Sequence, residues 1–262
     1  MRDEAHHPAP ADVFPDIRSV GPDAPARWLM AGWTDLRRAG GASFFYGACF
    51  AAGGWLLYAV FAHAYALFAG LVTGFLLLAP ALAMGLYDLS RRLEAGEPPR
   101  LAPTLTAWRG NLPNVAVLSA VLLVVLLLWA RASMVIFVMF FDTAGLPTFG
   151  DVVRAVLTLS QPEFAVVYMA VGGFFALLVF AISVVAIPLM LDRGTDAVSA
   201  GIASLAVCGR NAGPMLLWAA CIVVLVAAGF ATYFLGLILV MPLLGHATWH
   251  AYRDLVAGRP GR

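Results

Sequence analysis

Two of the five histidines stand four residues apart, His246 and His250, near the end of an apolar stretch that closes on Thr248, Trp249, Tyr252, Arg253 and Asp254. An i, i+4 pair shares one helix face. Two imidazoles on one face can hold a metal ion if other ligands come from elsewhere in the chain. Asp88, Asp196 and Asp254 follow apolar stretches and are the carboxylates that would complete such a set if three helix ends cluster. The competing reading is a pair of interfacial histidines that hydrogen-bond neighbouring helices and headgroups, with Trp249 and Tyr252 in an aromatic belt. Cys49, Cys208 and Cys221 are scattered and form neither a disulfide framework nor a Cys-x-x-Cys site. His6 and His7 lie on a flexible tail without further ligands. His63 is placed in the opposite turn of the bundle, too far from His246 or His250 for bis-histidine haem. Arg131 is the one charge inside an apolar run. It either snorkels to headgroups or pairs with a partner's acid. No phosphate-binding loop, dinucleotide fingerprint, nucleophile elbow or metalloprotease helix occurs. The expectation is a protein that is not an enzyme and carries no cofactor.

The elements that would position these groups are membrane helices. Of 262 residues, 62% are hydrophobic and 12% charged, where soluble domains run about 45–50% apolar and about 25% charged. The expected architecture is all-α and polytopic, with six transmembrane helices arranged as three hairpins. Their spans are placed at about 43–62, 64–87, 112–131, 164–188, 211–228 and 230–250. The last two divide, at Gly229, an apolar run too long for one span. Residues 1–26 read as a disordered tail, 27–256 as the membrane domain and 257–262 as a second tail. Trp28, Met30 and Trp33 beside Arg27, Arg37 and Arg38 suit a helix lying on the membrane surface. The segment 142–163 reads as an amphipathic platform on the opposite side.

All 16 basic residues are arginine, and with six spans nearly all fall on the side of the termini. The positive-inside rule then puts both termini in the cytoplasm. The apolar blocks also repeat a layout. Pro80, Pro188 and Pro242 stand near the inner ends of the second, fourth and sixth blocks, with Asp88, Asp196 and His250 each eight residues later. Arg109-Gly110-Asn111 and Arg210-Asn211-Ala212 precede two of the outward helices. Three copies of one unit would form a pseudo-threefold bundle. Proline frees a carbonyl in the preceding turn and can bend the helix, so three bends at one depth would splay a cytoplasmic vestibule.

The run from Pro242 through Gly245, His246, Trp249 and His250 to Arg253 resembles the DUF2189 family of bacterial predicted integral membrane proteins. Trp33-Thr34-Asp35-Leu36 and Tyr87-Asp88-Leu89 fit as well. Some members carry a cytochrome c oxidase subunit label. The histidine count argues against a catalytic subunit, so the resemblance implies an accessory or assembly role and carries over no catalytic residues. Three functional classes stay open. The first is a non-enzymatic inner-membrane accessory subunit, embedded in lipid, with membrane-protein partners and no nucleic acid. The second is a passive transporter or channel, since the interior lacks the Asp, Glu and Lys that ion coupling needs. The third is a metal-binding protein using His246 and His250.

Overall fold

The computed structural model describes residues 15–61, 65–141 and 161–257, with side chains for all but 61 and 65–77. The chain is helical: α1 Ala24–Ala39, α2 Gly41–Phe61, α3 Tyr65–Glu94, α4 Leu101–Thr104, a 3₁₀ turn Ala107–Asn111, α5 Leu112–Phe140, α6 Pro162–Ser183, α7 Ala186–Arg193, α8 Ala197–Arg210, α9 Ala212–Ala231 and α10 Leu237–Leu255. Four helical stretches among the described residues are long and apolar enough to cross a membrane: Gly41–Val60, Leu101–Phe140, Pro162–Arg193 and Ala212–Ala231. The expectation of six spans in three hairpins is therefore corrected to four. The sixth block fails because α10 reaches His246 after nine residues, about 14 Å of helix, and a hydrocarbon core is about 30 Å thick. The described side chains of α3 begin at Leu78 and include Asp88, Arg91, Arg92 and Glu94. The apolarity of these two helix ends serves burial inside the protein.

The chain divides into two compact units, 1–118 with 181–262, and 119–180. In the first unit α10 is the central element, packed by α1, α2, α3 and α9. Small residues allow the approach. A Cβ on Gly32 of α1 would stand 2.6 Å from the Ala247 backbone nitrogen, so α1 can lie against α10 only with glycine there. Gly40, at φ 50°, turns the chain from α1 into α2 without the steric cost a side chain would add. The buried face of α1 is Trp28, Gly32, Asp35, Leu36 and Ala39, at helical spacing, while Met30 and Trp33 face outward. Trp28 meets Trp218 of α9 edge-on at 5.7 Å.

The expected tail of residues 1–26 needs correction where it is described. Ile17 pairs antiparallel with Val256, Arg18 N–H donates to the Leu255 carbonyl at 2.8 Å, and Ala257 N–H to that of Asp16 at 2.9 Å. Asn211 accepts from Val20 N–H and donates to the Arg18 carbonyl. Residues 16–20 are thus strapped to the end of α10, and α1 begins at Ala24. Residues 1–14, 62–64, 142–160 and 258–262 lie outside the described set. With them go His6, His7, His63 and most of the expected platform at 142–163.

The three prolines act differently. Pro80 and Pro242 sit inside continuous helices. Pro188 sits on the third residue of α7, just past a break at Val184–Val185. Its ring would clash with the carbonyl four residues back, at Val184. The Val185 N–H freed by the break donates to Ser204 Oγ at 3.1 Å. The split of 211–250 into two helices holds, with the break moved from Gly229 to a turn over 232–236. Tyr233 and Phe234 take positive φ there, 52° and 66°. This turn packs on Trp55 and Tyr58 at the far end of α2 through Phe234.

In the second unit α5 and α6 join through aromatics. Phe164 is buried among Phe137, Phe140, Phe141 and Tyr168, and Trp129 lies against Tyr168 and Phe175. Ser133 donates to Tyr168 Oη at 3.0 Å.

Candidate functional site

The polar centre of the first unit is a hydrogen-bonded chain of five side chains from four helices. His246 of α10 is fully buried, with Ser43 Oγ of α2 at 2.7 Å from Nε2 and Ser90 Oγ of α3 at 2.7 Å from Nδ1. Ser90 also hydrogen-bonds the Asp35 carboxylate of α1. His250 Nε2 lies 2.8 Å from Asp35 Oδ2. These contacts fix the direction of every proton. A carboxylate only accepts, so Ser90 O–H and His250 Nε2–H both donate to Asp35. Ser90 has then spent its one proton and must accept from His246 Nδ1–H. Neutral His246 presents a bare Nε2, which accepts from Ser43 O–H. The chain reads Ser43 to His246 to Ser90 to Asp35, with His250 closing the far end. The tautomers follow from the network.

Electrostatics agree with that assignment. Burial pushes the His246 imidazole down to about 4 from 6.5, outweighing the attraction of Asp35, so the ring is neutral near pH 7. Burial alone would raise the Asp35 pKa. Hydrogen bonds from His250 and Ser90 outweigh it and hold the carboxyl below its ordinary value. The buried members of the network all have partners, as buried polar groups must, while His250 at its far end is partly exposed.

A second cluster lies one turn further along α10. Trp249 Nε1–H donates to Glu94 Oε2 at 3.1 Å, Arg253 Nε–H to Glu94 Oε1 at 3.1 Å, and Tyr252 O–H to Asp192 Oδ2 at 2.6 Å. Burial, together with its hydrogen bond to Asp192, pushes the Tyr252 phenol above its ordinary value. Trp249 and Tyr252 are both buried, so the aromatic-belt reading of them fails.

The carboxylates proposed as metal ligands do not meet the histidines. Asp88 is buried and holds Arg91 and Arg92 of its own helix. Asp196 N-caps α8, accepting from Val198 and Ser199 N–H. Asp254 accepts from Trp28 Nε1–H at 3.0 Å and pairs with Arg27. The end of α7 does meet the end of α10, through Asp192 and not through Asp196. Among the described residues no group of three His, Cys, Asp or Glu side chains could hold a metal ion. Arg131 is exposed on α5, nine residues before the helix ends, so it does not mark the end of a span at 131. Pro80, Pro188 and Pro242 are buried within the first unit.

Sequence reasoning missed Ser43, Ser90, Glu94 and Asp192 as partners. The signal for Ser90 and Glu94 lay in the charged ending of the second block, where polar side chains recur over 88–94 at helical spacing. Ser43, at the edge of an apolar block, gave none. Asp35 stood in view within Trp33-Thr34-Asp35-Leu36. That stretch and the histidine stretch are the two that the His250–Asp35 contact joins.

The protein-family model described as predicted integral membrane protein, DUF2189, matches residues 67–192. Over those residues, just under half of its length, the chain is similar to this family. The DUF2189 match contains Asp88, Ser90, Glu94 and Asp192, whereas Asp35, Ser43 and the histidine pair lie outside it. No curated protein and no solved structure matches the chain. The protein is a polytopic membrane protein embedded in the bilayer by several apolar helices.

Proposed function

We propose that this protein is a non-enzymatic accessory or assembly subunit of a larger complex in the bacterial inner membrane, with respiratory oxidases the first complexes to test. The observation that carries this reading is how little of two spans the chain itself covers. Only 17% of the apolar window is buried in Leu101–Phe140 and in Ala212–Ala231, against 39% in Pro162–Arg193. Val121, Val124, Leu127 and Leu128 of α5 and Leu216, Val223 and Val224 of α9 stand exposed. Such faces suit the packing of partner helices, which in lipid rests on van der Waals fit.

The polar core supports the non-enzymatic part of the reading. His246 has both ring nitrogens engaged, and Asp35 and Asp88 are consumed by internal partners, so none is free for a substrate. A passive transporter calls for a polar path, and these groups instead seal one another. Arg91, Arg92, Arg193 and Arg253 belong to the last turns of α3, α7 and α10, the last of which pairs with the strap at 16–20. A cytoplasmic location for that layer is what the positive-inside rule favours.

The test is photo-crosslinking from positions 124 and 223 in native membranes, followed by isolation in mild detergent and mass spectrometry. A specific membrane-protein adduct is expected from at least one position. Lipid adducts and free monomer alone would refute the accessory role.

A further inference from the structure

We propose that the chain carries a collar of binding sites for anionic phospholipid headgroups where its surface segments turn into membrane helices. The first unit holds two kinds of arginine. Arg27, Arg91, Arg92 and Arg253 each pair with a carboxylate. Arg37, Arg38 and Arg109 are exposed and have no carboxylate partner among the described residues. Arg109 lies over the Trp108 ring at 5.6 Å, and exposed Arg210 spends only its Nε–H, on Ser19 Oγ at 3.2 Å. These four share one position in the chain, whereas Arg18 and Arg100, also exposed and outside the ion pairs, do not. Arg37 and Arg38 end α1 just before Gly41, Arg109 comes three residues before α5, and Arg210 two before α9.

Each sits on a segment with an exposed apolar side. Met30 and Trp33 are 72% and 44% exposed on α1, Leu105 lies beside Trp108, and Val198, Ile202 and Leu205 line the outer face of α8. Apolar groups to insert, with guanidiniums at the rim, are what an interfacial segment presents to a lipid surface. The depth agrees. Trp55, Tyr58, Tyr233 and Phe234 gather at the far ends of α2 and α9. Gly41 to Tyr58 is about 26 Å of helix, close to the ~30 Å hydrocarbon core. Aromatics therefore mark one interface, and the arginine collar lies at the phosphate level of the other. Four guanidiniums outside the ion pairs carry charge that zwitterionic headgroups balance poorly and headgroups of net negative charge balance well.

The full chain, reconstituted in nanodiscs of phosphatidylcholine with and without phosphatidylglycerol, tests this. Lipid mass spectrometry of the re-extracted protein should show phosphatidylglycerol enriched over the bulk ratio. The R37Q/R38Q/R109Q/R210Q variant should lose that enrichment, with affinity falling roughly fivefold per arginine removed. Circular dichroism in neutral lipid checks its fold, and the R37Q/R38Q double variant replaces it if it does not fold. Wild-type protein without enrichment, or a folded variant that keeps it, overturns the proposal. So does inorganic phosphate if it displaces phosphatidylglycerol, because the site then recognises the free anion.

Discussion

Helices α9 and α10 are joined by a five-residue turn and solve burial in opposite ways. α9 is apolar throughout, and most of its surface is exposed. α10 is half polar, and its second half is almost wholly buried. In lipid an apolar side chain gains little by being covered by protein, because lipid tails are equally apolar. A buried polar side chain must find a partner inside. Specific structure therefore gathers where the polar groups are. The five-residue network and the Glu94 and Asp192 cluster hold α1, α3, α7 and α10 to one arrangement, while α9 is left free to meet lipid or another subunit.

The sharpest way to break this comparison is His246→Ala. It removes the partner of both Ser43 and Ser90 and opens a cavity, so a loss of about 4 kcal/mol is expected in denaturant unfolding in detergent. A loss below about 1 kcal/mol would show that the network does not organise the unit.

Acid tests the same residue without mutation. The folded pKa of His246 is depressed to about 4 from 6.5. Between those values the unfolded chain binds a proton that the folded chain refuses. Stability is thus fully present above pH 6.5 and falls as pH drops toward about 4, by roughly 3 kcal/mol in all. Asp35, with its depressed pKa, adds a further loss below its ordinary carboxyl value of 3.8. The slope between pH 6.5 and 4 should vanish in a folded His246→Gln protein. If it persists there, another group is its source.

A smaller effect is expected at the backbone contact. Gly32→Val places a side chain against the Ala247 backbone, and overpacking of that kind costs about 2 kcal/mol. Thermal unfolding should show a lower midpoint, and an unchanged midpoint would mean that α1 does not lie on α10. The smallest effect belongs to α9. Val223→Ala should stay within about 0.5 kcal/mol of wild type in detergent. If it approaches the His246→Ala loss, the contrast between the two helices collapses.

Much of the fold was legible in the residues. Hydropathy marked the long helices, and the overlong apolar run announced its own division, but Trp28, expected at a membrane surface, is buried against Trp218. His246 and His250 were visible as the place where chemistry gathers. The partners were not. Ser43 and Ser90 reach His246 across 203 and 156 residues, and no local period encodes such a meeting. The count of spans failed for a related reason: an apolar run is equally suited to lipid and to protein interior. For α10 the deciding residues are His246 and Thr248, whose burial shows that the helix end is protein core. Asp196 misled because its spacing from Pro188 ignored Gly194, which ends α7 and makes Asp196 the cap of the next helix.

The contact between Asp35 and His250 also sets a clock. The two residues are 215 apart in the chain. At about 5–20 residues per second, the carboxylate waits on the order of 10 to 40 seconds of synthesis for its imidazole. Helix α1 docks on α10, so until α10 has been made the layer stands open. A nascent chain stalled before α10 would display Asp35, Ser43 and Ser90 with none of the ring nitrogens that close them in the finished protein.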